Sequence, residues 1–315
     1  MKARPASDFK RPAVFLVNRL GDQLIALPAI RALCAIFPSG IQLLLGEGMF
    51  SFFYRGLPLD KVVRVWLDDE KGSIDLERTT RFAAPCDLSL CLSRLHIPFL
   101  QLAQRMGACW TVGYSGIFDG HLRFDSHTHS FDQLFAIPQY LEPSLRFDQF
   151  CEPPVFSPAA ESAAARYVSA FRRSGERILF VHPETLPEKT WSRERFAWIL
   201  ERFLAGRPEY KVIVSSLAPI DFGVHPERVR RCDEHLEFTL ALMRSVDLFL
   251  GVDSCFLHAA DLFRIPGVAL FGPTKPTEWG FRLSPNFRHV AEESMEQIHP
   301  EPVLAALQEL ADVVD

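Results

Sequence analysis

Three places in the chain put residues capable of chemistry where a strand gives way to a helix. In 250–280, LGVDSCFLHAADLFRIPGVALFGPTKPTEWG, the apolar run 246–250 reads as a buried strand and 251–254 as a turn. A short helix over 255–263, a second strand over 267–271 and a Gly-Pro-Thr-Lys-Pro loop complete the unit. Strand, turn, helix and strand make a right-handed crossover, with the turn at the carboxyl end of the first strand. Such a turn leaves free backbone N–H groups at a helix N-terminus, where the dipole favours an anion. Asp253 and Ser254 are good N-cap types, and His258 falls about one turn into the helix. A similar junction follows the apolar run 12–17, where Asn18-Arg19-Leu20-Gly21-Asp22 leads into a helical pattern over 23–37. Gly21 permits a tight turn or close backbone approach. Asp22 stands at the carboxyl end of the strand, where open α/β sheets bind ligands. The third place is 182–191, HPETLPEKTW, which follows a strand at 177–181 and carries Lys189. Ordinary capped crossover helices have the same spacing, so spacing alone leaves both plain capping and anion binding open.

The elements that must position these residues alternate along the chain. Strands are expected at 12–17, 41–45, 61–66, 86–92 and 110–114, with helical patterns between them, including 98–106. Pro28 inside the first helical pattern predicts a kink or a late start. Residues 115–150 are less regular, with a helix ending near Tyr140; His127 and His129 would oppose each other on a strand and do not read as a metal pair. CEPPVFSP (151–158) is the linker candidate, since its three prolines resist regular structure. A second alternation follows: helix 159–174, strand 177–181, helix 192–205 capped by Ser192, strand 210–215, helix 237–244, then the unit at 250–280. The expected architecture is α/β, with two doubly wound Rossmann-like domains, 1–152 and 153–298, facing a cleft. A C-terminal segment, 299–315, forms an amphipathic helix with Val303, Leu304, Leu307 and Leu310 on one stripe, expected to pack back on the first domain.

Composition narrows the class. At 315 residues the chain has room for two domains, and a 48% hydrophobic content fits a globular protein. No apolar run reaches the roughly 18–20 residues of a membrane span. The apolar stretch near the N-terminus is too short for a signal peptide and reads as a lead into the first strand. A net charge of −5 gives no general pull toward nucleic acid. The seven cysteines are scattered, odd in number and without a C-x-x-C pair, which points to a reducing cytoplasm and no zinc or iron–sulfur site. Most of the 27 phenylalanines are assigned to core packing.

Three segments, in order and suitably spaced, resemble glycosyltransferase family 9, the ADP-heptose:lipopolysaccharide heptosyltransferases. VNRLGDQLIALPAIRALCAIFP (17–38) resembles the family's opening strand, Gly-Asp turn and helix. HPETLPEKTWSRERF (182–196) resembles its Lys-x-Trp segment. GVDSCFLHAADLFRIPGVALFGPTKPTEWG (251–280) resembles its Asp-Thr-Gly-x-x-His helix start and Gly-Pro-Thr-x-Pro loop. The resemblance implies a GT-B fold, an acceptor-binding first domain and a nucleotide-sugar-binding second domain. It implies inverting transfer of a heptose from ADP-heptose without a metal or other cofactor. Asp22 matches the family's base, and Lys189 a lysine near the donor phosphates. Ser254 and its neighbours match the diphosphate turn, and His258 the histidine of that helix. By the same resemblance Gly21, Thr190, Trp191, Asp253, Cys255, Phe256 and Lys275 join the donor side, and Asn18, Arg19 and Arg94 the acceptor side. Cys255 stands where the family has glycine, Lys275 where an acidic residue is common, and Asn18-Arg19 where small or hydroxyl residues precede Gly-Asp.

The implied chemistry agrees with the residues. An acceptor hydroxyl needs a carboxylate to take its proton. A leaving nucleotide diphosphate needs positive potential, which Lys189, backbone N–H groups and a helix dipole supply. The expected partners are a nucleotide-sugar donor and a glycan or glycolipid acceptor, with no nucleic acid. Peripheral contact with the inner membrane would use Arg78, Arg81, Arg94, Arg105 and the apolar 97–100; ordinary helix surface and core explains the same residues. Other readings are a GT-B enzyme using another sugar nucleotide or a metabolite or protein acceptor, a nucleotide-sugar epimerase, and a non-catalytic sugar-nucleotide binder. A degenerate binder would have little reason to keep both Asp22 and Lys189.

Overall fold

The structure is a computed structural model that describes residues 4–46, 48–68, 73–93, 96–216 and 220–314. The chain divides into two compact units, Met1–Val155 and Phe156–Asp315. The boundary falls inside the proline-rich segment expected to be the linker, three residues beyond the predicted division.

The first unit runs β1 (Pro12–Leu16), α1 (Leu20–Ile36), β2 (Ile41–Leu45), β3 (Leu59–Arg64), β4 (Leu67–Asp68), β5 (Ser73–Ile74), α2 (Leu76–Thr80), β6 (Leu88–Cys91), α3 (His96–Arg105), β7 (Trp110–Gly113), β8 (Gly120–His121) and α4 (Ser130–Leu141). Six strands form one sheet in the order β3-β2-β1-β6-β7-β8, and every pairing in it is parallel. β4 and β5 make a separate antiparallel hairpin. Central strands β1, β2 and β6 are buried along their whole length, as strands covered on both faces by crossover helices must be. α1 starts at Leu20 and runs past Pro28 without a late start.

The second unit runs α5 (Pro158–Phe171), β9 (Arg177–His182), α6 (Arg193–Gly206), β10 (Tyr210–Ser215), β11 (Val229–Cys232), α7 (Leu236–Met243), β12 (Leu248–Val252), α8 (Cys255–Leu262), β13 (Gly267–Phe271), α9 (Pro276–Trp279), β14 (Phe287–Ala291) and α10 (Pro300–Val314). Its sheet, β11-β10-β9-β12-β13-β14, is also fully parallel. In each sheet the first-formed strand sits centrally and the strand order reverses beside it, between β1 and β6 and between β9 and β12. A ligand crevice opens at such a switch point because the loops on either side diverge.

Two expectations are corrected here. Gly251 and Val252 belong to β12 rather than to the turn after it. A Cβ on Gly251 would lie 2.6 Å from the Phe249 ring and 2.9 Å from the His182 carbonyl, so the residue is needed for close strand packing, and the turn begins at Asp253. The C-terminal helix, expected to pack back on the first domain, packs within the second unit. Val303, Leu307, Leu310 and Ala311 are buried in the core of the second unit with Phe203, Leu248 and Leu270. Exposed ends of the same helix are tied down by Arg207 to Asp312 and Arg288 to Glu309.

Leu307→Ala therefore costs about 2–5 kcal/mol through the cavity it leaves. Urea unfolding followed by a probe in the second unit will show a lower midpoint, while a probe in the first unit stays unmoved.

Candidate functional site

Both switch points carry polar side chains that the strands deliver. In the first unit Asn18 and Asp22 follow β1, and Ser93 follows β6. Asn18 Nδ2 donates to the Leu92 carbonyl at 3.1 Å, and Ser93 Oγ donates to the Val17 carbonyl at 2.8 Å. These bonds stitch together the ends of the two strands that part there. Asp22 is not the N-cap of α1. Arg19 holds that position, and its N–H donates to Asp22 Oδ2 at 2.9 Å from one turn away. A carboxylate in the first helical turn suits the dipole, and Asp22 stays half-buried rather than sealed. Gly21 is the second helical residue and lacks a positive φ, so the tight turn expected there is absent. Arg19 is exposed. Arg94 lies outside the described residues.

Next in the chain, buried Gln23 binds the Phe50 backbone in both directions, accepting at 2.9 Å and donating at 3.0 Å. That pair fixes the loop after β2 to the start of α1, close to the turn that carries Asp22.

The second unit gathers its polar residues around one carboxylate. Asp253 follows β12 and is 5% exposed. Lys189 Nζ, from the short 3₁₀ turn after β9, donates to Asp253 Oδ2 at 2.6 Å. Thr274 Oγ1, from the loop after β13, donates to the same oxygen at 2.7 Å. His258 Nε2 stands 3.9 Å from the other oxygen, Oδ1. Three successive strand-end loops thus converge on one acidic group. Both Asp253 and Ser254 were expected to cap α8. Ser254 occupies the N-cap position without a capping bond, and Asp253 turns to Lys189 and Thr274 instead. The Ser254 hydroxyl is buried and has no hydrogen-bond partner among the described residues. A buried hydroxyl left so is unfavourable.

The remaining donor-side residues separate. Cys255 opens α8 half-buried, and burial pushes its thiol up to about 12, so it is a neutral thiol. Phe256 packs under the site, its ring centroid 4.5 Å from that of His182. Thr190 donates to the Leu186 carbonyl at 3.1 Å and holds the turn that carries Lys189. Trp191 borders the groove beside the Lys189 turn with its side chain largely in the core. It is buried against Phe196, and its indole N–H donates to the Ile298 carbonyl at 3.2 Å. Lys275 is exposed at the start of α9. A groove beside the Lys189 turn is lined by Glu184, Thr185, Thr190, Arg193 and Ile220.

Sequence reasoning missed Ser93, Thr274 and His182 as members of these sites. Thr274 was visible only as part of a Gly-Pro-Thr loop, because its partner is 21 residues away. His182 ends β9, and its Nδ1 meets the Ser215 carbonyl at 2.7 Å. Burial lowers its pKa to about 4, outweighing the bonds to Ser215 and Glu184. It is a neutral spacer under the Lys189 loop. Among the described residues no three His, Cys, Asp or Glu side chains are grouped to hold a metal ion.

Two parallel sheets flanked by helices, each with polar residues gathered at its switch point, define a two-unit α/β fold of the GT-B class, and the comparisons agree. A glycosyl transferase family 9 protein from Veillonella parvula superposes with a TM-score of 0.76 at 20% identity, covering 98% of both chains. E. coli ADP-heptose lps heptosyltransferase II gives 0.69 at 18% identity, covering 95% of this chain and 98% of that one. The E. coli heptosyltransferase WaaC solved with ADP gives 0.70 at 16%, covering 96% and 98%. No match was found among curated protein sequences. The family model for glycosyltransferase family 9 (heptosyltransferase) matches residues 102–301. That is more than half of the chain, so the protein belongs to glycosyltransferase family 9 and is a glycosyltransferase. The matched region contains Lys189, Asp253 and His258 and begins after the helix that bears Asp22.

Two outcomes follow. His182 is neutral when folded, whereas an unfolded histidine takes up its proton near pH 6.5. Between about pH 6.5 and pH 4 the unfolded chain binds more protons. Stability therefore falls as pH drops through that window, by about 3 kcal/mol in all. His182→Gln will flatten the dependence of the urea midpoint on pH there. Ser254→Ala removes a hydroxyl with no partner among the described residues, so the thermal midpoint measured by calorimetry will hold or rise.

Proposed function

We propose that the protein transfers a heptose from ADP-heptose to an acceptor hydroxyl with inversion, using Asp22 as general base and no metal cofactor. The observation that carries this reading is the cluster around Asp253. It holds Lys189 beside the N-terminus of α8 and next to a buried, unpartnered Ser254 hydroxyl. A diphosphate would find there a cation, a hydroxyl donor and the positive end of a helix dipole. The structural relative solved with ADP supports an adenine nucleotide as the donor part. The relative described as an ADP-heptose lps heptosyltransferase supports the sugar and a lipopolysaccharide-core or related glycan acceptor. The reaction would run in the cytoplasm.

In the transfer, the acceptor oxygen forms a bond to the anomeric carbon as the bond from that carbon to the diphosphate oxygen breaks. The acceptor proton passes to Asp22, and ADP departs with the electron pair. Asp22 is suited to this role because one oxygen is anchored by the Arg19 N–H while the group remains half-buried at a strand end. Lys189, Ser254 and the α8 N-terminus would meet the charge that grows on the diphosphate. A second reading, another sugar nucleotide as donor, is favoured by Cys255, whose side chain stands at the first residue of α8, beside the place proposed for the phosphates.

Asp22→Asn separates catalysis from structure, since an amide oxygen still accepts the Arg19 N–H. The variant will lose roughly 10²–10⁴-fold in turnover with ADP affinity and thermal midpoint near wild type. Full turnover in the variant overturns the assignment of the base. A donor screen reading nucleotide release, with ADP-heptose, ADP-glucose and UDP- or GDP-sugars, with and without core-lipopolysaccharide extract, tests donor and acceptor separately.

A further inference from the structure

The carboxyl edge of the first sheet holds two polar atoms that the proposed chemistry does not use. Among the described residues, three side chains of the first unit bury a nitrogen or oxygen with no hydrogen-bond partner: His96 Nδ1, Trp110 Nε1 and Tyr114 Oη. Trp110 opens β7 and so lies at the amino edge. The other two lie at the opposite edge, where open α/β sheets take ligands. His96 is the first residue of α3, in the crossover after β6, and Tyr114 directly follows β7. β6 and β7 are paired, with Leu90 opposite Val112. Leu92 and Tyr114 each stand two residues beyond that pair, about 5 Å apart by the ordinary spacing of strands. The Leu92 carbonyl is the one that receives Asn18 at the gap beside β1. Tyr114 thus stands one strand away from the gap that bears Asp22.

Packing holds both side chains in place. The His96 ring meets Phe118 edge-on at 5.6 Å. Phe118 is buried and lies against Gly113, where a Cβ would stand 2.4 Å from its ring. One buried ring therefore joins His96 to the residue before Tyr114. The Tyr114 ring meets Phe124 edge-on at 6.3 Å. Burial lowers the pKa of His96 and raises that of Tyr114, so both are neutral near pH 7. Ile97 is 66% exposed and Ile117 49%, next in the chain to His96 and Phe118. Of the apolar residues 97–100 expected at a membrane, Phe99 is instead buried in the core.

We propose that His96 Nδ1 and the Tyr114 hydroxyl bind hydroxyl groups of the acceptor sugar, with Ile97 and Ile117 along its C–H groups. Leaving a buried polar atom unpaired is costly, and each such atom calls for a reason. Here two of them share the edge of the sheet that faces ligands. A neutral imidazole nitrogen donates or accepts according to its tautomer, and a phenol hydroxyl does both. A sugar hydroxyl is likewise donor and acceptor, so it satisfies either atom. The exposed isoleucines beside them suit the apolar C–H groups of the same ring. This subsite rests on the transfer reading above and names residues that would select its acceptor.

Calorimetric binding of deacylated lipopolysaccharide core oligosaccharide to the full chain tests the subsite without turnover. Wild type will bind it. Tyr114→Phe and His96→Leu will each raise the dissociation constant roughly three- to tenfold. Their thermal midpoints will hold or rise, because each deletes an unpartnered polar atom. His96→Asn, whose amide can stand in for Nδ1, will bind nearly as wild type. Trp110→Phe removes the unpartnered atom at the far edge and will also bind as wild type. Turnover separates the subsite from the reaction it rests on. Oligosaccharide binding that weakens in both variants, with no transfer from ADP-heptose, overturns the reaction and supports the subsite. Transfer by wild type with unchanged dissociation constants in both variants overturns the subsite alone. Absence of wild-type binding also overturns it, as does equal loss in Trp110→Phe. A lowered thermal midpoint with unchanged binding overturns it in favour of buried water on the two atoms.

Discussion

A parallel strand can reach its neighbour only through a crossover, and the crossover has one favoured hand. This constraint places everything else in the protein. Each sheet is built outward in both directions from its first strand, so the two chain paths must part beside β1 and beside β9. The loops after β1 and β6, and after β9 and β12, cannot cover the gap where they diverge. Polar residues at those four strand ends are therefore presented to a ligand without further arrangement. Asn18, Asp22 and Ser93 stand at the first gap, and Lys189 and Asp253 at the second. The two sheets solve the same topological problem with unrelated side chains.

At the second gap a buried ion pair does what packing alone could not. Lys189 and Asp253 are 64 residues apart and come from different strand-end loops. A lysine on a short 3₁₀ turn would ordinarily sample many rotamers, and a carboxylate this buried would be costly alone. Together, with Thr274 completing the second bond to Oδ2, they hold each other in place. The other end of α8 shows the same device. Asp261 is buried and accepts from the N–H groups of Arg282, Leu283 and Ser284 at 2.8–2.9 Å. Short, eight-residue α8 is thus pinned by a carboxylate in the loop before it and another near its end, and its N-terminus is fixed relative to Lys189.

Much of this was legible in the sequence, for a physical reason. Strands Ile41–Leu45, Tyr210–Ser215 and Gly267–Phe271 have the expected ends because they are almost wholly buried and read as mainly apolar runs. β11 and β14 went unseen because edge strands need only one covered face, and VRRC and FRHVA carry arginine and histidine. The C-terminal helix was recognised by its stripe, yet the stripe does not say which core receives it; only the second unit has α6 and β13 to match it. Asp22 and Lys189 could be found because each lies at a strand end within one contiguous motif. Thr274 and Ser93 could not, since their relevance depends on bonds across the sheet to residues far along the chain. The burial of Trp191 could not be read, because a tryptophan beside a lysine looks the same in sequence whether it faces a groove or the core.

Two buried polar groups around the Lys189–Asp253 pair, His182 and Ser254, are treated in opposite ways, and the contrast bears on what the site holds. His182 is given a partner on the Ser215 carbonyl and kept uncharged. No positive charge from below then competes for Asp253. Ser254, one residue from Asp253, is buried with no partner. A fold that satisfies Asp261 three times over is not short of ways to satisfy a hydroxyl. Leaving one unpaired at a helix N-terminus, next in the chain to the carboxylate that holds Lys189, concedes stability where an incoming anion would restore it. If a donor diphosphate binds there, it exchanges with Asp253 for the Lys189 ammonium while Thr274 keeps the carboxylate in place, so the loops need not move when the ligand changes charge.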